Sequence, residues 1–419
     1  MFMPYPKLIF TFTILLIFSI PTTAQDATPS PTDGRLPDNL VVAWVEKGNL
    51  FARTGADVPV QLTTTRDAIA PYLSPDGRRV AYLHGDNGLP TGLSLVDFSD
   101  GKVHDLVIPK NLSTGINDPL LISQLGWLDH SSLYLNTAQN TSFGQDRRDD
   151  LWRINIQTGE VTLLLPPGEG GAFSISPNQK WIAVISAGTY DHGAAHIRLI
   201  DAATGSLQEI LSFPAVSTGS EYRFYPQVFW EADSRAFRAA IPDKDLIYDE
   251  VNSPPVVLWH FGVDGSSEKI GSVSASFFGL PSWSDDGNHL AYLRRAGEVT
   301  NNQFDLFLAD GDGDNPVKYA SGEAGSFGFP IWIPNSMQFI YAQGEPGTYW
   351  LGSLDVQPVR LAEQMFNLTF LENQQIVYAS APVSPFELRY THVGDDQSVL
   401  IATLANQFPV FDAIIVPAN

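Results

Sequence analysis

The chain has no cysteine among its 419 residues. Disulfide scaffolds, thiol catalysis, thiolate metal sites and lipid attachment through an N-terminal Cys are excluded together. Basic residues are scarce: 24 Lys and Arg stand against 46 Asp and Glu, a formal net charge of −22. A surface that acidic repels polyanions, so nucleic acid is excluded as a partner and anionic lipid is disfavoured. Sustained helical periodicity is missing from the body of the chain. Long apolar runs are also missing, save one near the N-terminus.

That run, "LIFTFTILLIFSI" (8–20), follows Lys7 and precedes "PTTAQ", which offers small residues before a cut after Ala24. It is shorter than the ~20 residues that cross a bilayer. Residues 1–24 therefore read as a signal peptide, with an uncleaved anchor as the alternative. Residues 25–38, "QDATPSPTDGRLPD", read as a flexible tether. The expected location is extracytoplasmic (secreted, periplasmic or at the cell surface), with no stable membrane insertion after cleavage.

What is abundant is apolar residues (44%), 34 glycines and 30 prolines spread along the chain, as many tight turns require. One phrase recurs. A turn residue stands four positions ahead of an apolar stretch: Asp76 before Val80-Ala81-Tyr82, Asp129 before Leu133-Tyr134-Leu135, Asn178 before Ile182-Ala183-Val184, and Asp233 before Phe237. It returns as Asp286 before Leu290-Ala291-Tyr292, Asn335 before Phe339-Ile340-Tyr341, and Glu372 before Ile376-Val377-Tyr378. The intervals are 53, 49, 55, 53, 49 and 37 residues, the period of a propeller blade. Each unit reads as four short antiparallel strands, and such a meander buries both faces only when copies stack radially.

The expectation is an all-β propeller over residues 39–416, with eight blades, or seven if 366–404 is a partial one. The first unit lacks a leading strand, while "QFPVFDAIIV" (407–416) matches the lead-in "GFPIWIPNS" (328–336). The C-terminal strand is thus expected to complete the first blade and leave no open edge.

The "SPDG-x-x-[VL]-A-Y" phrase, matched by Asp76-Gly77 with Ala81-Tyr82 and by Asp286-Gly287 with Ala291-Tyr292, resembles the WD40-like repeats of TolB-type propellers. It is also similar to the propeller domains of dipeptidyl-peptidase and prolyl-oligopeptidase relatives. The resemblance implies architecture and names no ligand. Those peptidases carry a hydrolase domain, whereas here no G-x-S-x-G elbow occurs and the blades use up residues 39–416.

No cofactor, catalytic residue or metal ligand is expected. Asp310, Asp312 and Asp314 alternate as in a calcium loop, but Asn315 and Ser321 break the pattern, so a plain turn is preferred. His192 and His196, with His84 and His260, would serve a His-based metal site only if the blades brought them together; such a site would resemble that of the propeller lyases acting on oligogalacturonate. The long loops follow the second and fourth strands and should share one face. They carry Arg147, Arg148, Tyr190, His192, Tyr222, Arg223, Tyr248, Arg294 and Arg295, residue types suited to recognition, although pairing of the arginines with surplus acids is an equal alternative. The function expected is a monomeric, non-catalytic scaffold that binds a protein, peptide or glycan. The alternative is a glycan lyase or hydrolase working at the channel mouth.

Overall fold

The apolar triplets do not alternate with polar residues, because both faces of every blade are covered. In the computed structural model, Val80 and Tyr82 enter a core shared with the preceding blade, while Ala81 and Leu83 enter one shared with the next. Leu290 and Tyr292 face back in the same way, and Ala291 and Leu293 face forward. Side chains on a strand point alternately to its two faces, so a run buried throughout needs a neighbouring sheet on each side. The Ala-Tyr pair thus sets a small residue against the next blade and a large one against the last.

The structure describes residues 34–107, 112, 120–141, 144–188, 193–218, 223–244, 254–297, 302–323, 325–354, 356–362, 364–380, 384–404 and 409–417. Within them the strands form eight antiparallel sheets. Blades 2 to 8 are built in chain order from residues 68–107, 121–165, 172–214, 229–273, 282–323, 331–360 and 365–404. Residues 365–404 supply four strands in the order of the other blades, so the ring has eight blades rather than seven. Eight apolar clusters lie between the sheets, one for each neighbouring pair. Exposed large apolar residues such as Val103, Leu207, Val317 and Val356 sit on the fourth strands, which makes those the outer ones.

The seam lies where the sequence placed it. In blade 1 the strand Val410–Ile415 pairs antiparallel with Leu40–Glu46, from Leu40 opposite Ile415 to Val45 opposite Val410. Asn39 Nδ2 donates to Val416 O (2.7 Å) at its end. Leu36, inside the segment read as a tether, is only 6% exposed and packs with Leu40, Leu371 and Leu388. The folded ring therefore takes in the last residues of that segment.

The repeated turn has a defined hydrogen-bond pattern. In "SPDG", Ser74 Oγ donates to Asp76 Oδ1 (2.6 Å) and accepts from Arg79 N (3.0 Å). Ser284, Asp286 and His289 repeat it. Gly77 and Gly287 take φ of 65° and 68°. A Cβ at Gly77 would strike Val416 of the sealing strand, and one at Gly287 would strike the Arg238 guanidinium of blade 5. Ser234 and Gln179 adopt the same left-handed backbone without glycine, and Ser234 Oγ accepts from Asn178 N (3.0 Å) across blades.

Innermost strands are tied to one another. Trp127 Nε1 donates to Tyr72 O (3.0 Å), Trp332 Nε1 to Ser282 O (3.0 Å), and Gln124 Nε2 to Phe173 O (2.7 Å). At the seam, Asp412 Oδ2 accepts from Leu73 N of blade 2 (2.7 Å). Burial pushes the Asp412 carboxyl up to about 6, and burial beside Asp412 pushes the Tyr72 hydroxyl up to about 12.

Candidate functional site: the long-loop face

Antiparallel neighbours reverse direction at each turn, so loops after the second and fourth strands emerge at one end of every blade. Scaffold loops of this kind are where recognition groups collect. In blade 3 the second strand runs on into a ribbon, Gly144–Arg147 pairing back onto residues 138–141, and "DRRDD" (146–150) spans the end of this return strand and the residues after it. The connection from blade 4 to blade 5 reaches this segment across blade 4.

There Arg223 donates through Nη1 to Asp149 Oδ2 (3.0 Å) and through Nη2 to Asp146 Oδ1 (2.7 Å), and Nη2 also meets Arg147 O. The Tyr225 hydroxyl donates to Asp149 Oδ1 (2.6 Å), and the Arg147 guanidinium lies 5.0 Å above the Tyr225 ring centroid. The Asp149 side chain is 3% exposed. Burial holds its carboxyl above the usual carboxylate range, against the opposing pull of the Tyr225 hydrogen bond and the Arg223 charge. Burial likewise raises the Tyr225 hydroxyl far above its ordinary value, so it stays a donor. Next in the chain, Asp150 accepts from Thr137 N (2.8 Å), Thr137 Oγ1 (2.5 Å) and Trp152 Nε1 (3.0 Å). The result is a strap that fixes the blade 3 ribbon to the blade 4–5 connection.

The structure thus brings Arg147 and Arg223 together: Arg223 is held by the protein's own acids and Arg147 lies over the Tyr225 ring, while Arg148 follows Arg147 in the chain. Arg294 and Arg295 lie apart on blade 6, stacked 4.4 Å from the Phe307 centroid and 4.8 Å from that of Phe304. Tyr190, His192, Tyr222 and Tyr248 lie outside the described residues. Asp146, Asp149 and Tyr225 escaped the reading of the sequence. The signal for the two acids was the Asp-Arg-Arg-Asp-Asp run itself, in which mixed charges so close together favour mutual pairing over a solvated stripe, whereas Tyr225 carried none.

The histidines are separated. His84 belongs to blade 2, His196 to blade 4 with Glu209 (3.0 Å), and His260 to blade 5 with Glu231 (3.3 Å). No group of three metal-ligating side chains occurs among the described residues. In the Asp310–Asn315 turn, Asp310 Oδ2 accepts from Asn315 Nδ2 (2.7 Å) and Asp312 Oδ1 from Asp314 N (3.0 Å), the local bonding of a carboxyl-rich turn.

One row has the members of a serine-hydrolase triad. Across blade 2, Asp67 Oδ2 lies 3.6 Å from His84 Nδ1, and His84 Nε2 lies 2.9 Å from Ser94 Oγ. Ser94 is 1% exposed, however, and its hydroxyl donates to Asp105 Oδ1 (2.7 Å). With that proton committed, His84 Nε2 must donate to the serine, the reverse of what a general base does. The row is a polar tie that runs from the residue before the first strand across the other three. Ser94→Ala is expected to lower stability by about 1–2 kcal/mol. A serine-directed fluorophosphonate should leave the native protein unlabelled, and labelling at Ser94 would refute this assignment.

No helix among the described residues is long and apolar enough to cross a membrane. No family model matches the chain, and no curated protein is similar to it. Solved structures do match. A prolyl endopeptidase aligns at TM-score 0.54 and 14% identity over 84% of this chain and 50% of its own. A eukaryotic initiation factor aligns at 0.51 and 12% over 89% and 97%. An oligogalacturonate lyase with manganese aligns at 0.47 and 13% over 87% and 98%. The chain spans about half the length of the peptidases it matches, 46% for an acylaminoacyl peptidase and 50% for the prolyl endopeptidase. At such identities the likeness concerns the fold: the chain is an eight-bladed, all-β propeller similar to the propeller domains of these peptidases.

Proposed function

We propose that the chain is an exported propeller that binds a protein, peptide or glycan through its long-loop face and performs no chemistry itself. The observation that carries this reading is the Arg223–Asp149–Tyr225 strap. It immobilises long loops that would otherwise lose conformational freedom on binding, and such preorganisation is what a binding surface gains from. The signal-like segment 1–24 supports export, and the sealed Ser94–His84–Asp67 row supports the non-catalytic part. Arg294, exposed near the end of the second strand of blade 6, is a cation on the same face that can meet a partner.

The test uses the protein from residue 25 onward as bait against extracytoplasmic proteins and glycans of its host. Native protein should retain a defined partner, and Arg294→Glu should weaken retention roughly tenfold, the effect of one lost anchor worth ~1.4 kcal/mol. Equal retention by both proteins would remove this face from the reading. A second reading, a glycan lyase or hydrolase at the channel mouth, draws on Asp412 alone. An innermost-strand acid raised to about 6 has the poise of a proton-transfer group. Polysaccharide turnover that Asp412→Asn abolishes would replace the scaffold reading.

A further inference from the structure

We propose that a cleft on blade 7 is the binding site for a neutral saccharide, which rests on the loop-face reading above and gives it a ligand class. The cleft is open to solvent, has a volume of about 620 Å³ and is lined by Ser326, Gln343, Glu345, Thr348, Trp350 and Arg360, among others. That volume falls within the ~300–1,000 Å³ of small-molecule sites. Ser326 comes from the connection between blades 6 and 7, and residues 343–348 form the loop after the second strand of blade 7. The cleft therefore opens on the same face as the strap.

Its walls are fixed before any ligand arrives. Trp350 Nε1 donates to Gln343 O (3.2 Å), and Gln343 Nε2 donates to Ser321 O (2.9 Å). Gly347, at φ 79°, lies so close to Phe366 of blade 8 that a Cβ would strike the ring. Arg360 stands opposite Trp350 in the strand pairing.

One charged group is left over, while the Thr348 hydroxyl is sealed inside the wall. Arg360 is exposed, and among the described residues its guanidinium has no acid or carbonyl to hold.

The chemistry of this set is that of a polyhydroxyl ligand. Trp350 offers an aromatic face to the apolar side of a pyranose ring. Arg360 and Glu345 offer planar pairs of donors and acceptors that match adjacent hydroxyls. An anion is disfavoured by Glu345 in the wall and by a net charge of −22.

The test is titration of the protein from residue 25 onward with maltose, cellobiose, lactose and chitobiose, followed by saturation-transfer NMR and tryptophan fluorescence. At least one should bind with Kd on the order of 1 mM, and Arg360→Ala should weaken it roughly tenfold at unchanged melting temperature. Trp350→Phe keeps a ring in place and should abolish the fluorescence response while retaining weakened binding. The proposal falls if none of the four binds, or if Arg360→Ala binds as the native protein does. It falls too if galacturonate or an acidic peptide competes better than the neutral sugars at this cleft. Such a failure is separable from failure of the loop-face reading, because partner retention and its loss in Arg294→Glu are measured with the cleft intact.

Discussion

Protein lacking residues 407–419 is expected to lose cooperative unfolding, elute as aggregate, and melt at least about 10 °C lower than the full chain. The strand Val410–Ile415 is the inner member of blade 1, and its removal strips the ladder from Leu40–Glu46. Phe411 and Ile415 leave the core shared with blade 8, and Ile414 and Val416 leave the one shared with blade 2. Burying a large apolar side chain fully is worth about 1.5–3 kcal/mol, so four partly buried ones amount to several kcal/mol. That is a large share of the ~5–15 kcal/mol that holds a typical domain. The bared edge of Leu40–Glu46 then templates pairing between molecules. Adding a synthetic peptide of residues 407–417 should restore compactness by strand addition, which separates loss of closure from general damage. Unchanged melting and elution without the peptide would show that the ring does not depend on this seam.

Arg223→Ala should be the most damaging change on the loop face, costing about 3 kcal/mol at neutral pH. It leaves the Asp149 carboxylate, 3% exposed, without its charged partner, and breaking one side of a buried pair costs ~3–5 kcal/mol. The pH dependence identifies the cause. Burial already raises the folded-state value of Asp149, and Arg223 is one of the groups holding it down. Without Arg223 the value climbs further. A raised acid binds more protons folded than unfolded, so stability falls as pH rises from the unfolded value near 3.9 to the folded one. The gap between native and variant melting temperatures should therefore be small near pH 4 and widen toward pH 7. A gap independent of pH would mean that Arg223 acts through packing alone.

Architecture was readable from the sequence because each blade repeats the same local solution. The spacing from turn residue to apolar run set the period, and the unbroken apolar runs required a sheet on either side. The match between residues 407–416 and 328–336 located the seam. What eluded that reading was anything formed between blades by unrepeated residues. Arg223 reaches Asp149 over 74 positions, a distance at which sequence offers no register. Ser94, His84 and Asp67 look unrelated in the chain, yet strand pairing sets His84 opposite Gly92 and Ala68, two positions from Ser94 and one from Asp67. The blade 7 cleft was equally hidden, since Arg360 gains significance only from what does not touch it. Leu36 was taken for tether because its neighbours are polar, although its own side chain is core.

The pairing of Leu40–Glu46 with Val410–Ile415 also bears on biosynthesis. As the polypeptide leaves the ribosome, blades 2 through 8 can form one after another from residues already made, whereas blade 1 waits for a segment some 370 positions downstream. Contacts that distant are slow to form because the loop between them must first be gathered. Until translation passes residue 415 the nascent chain is an open arc, and whatever escorts it must shield one unfinished sheet.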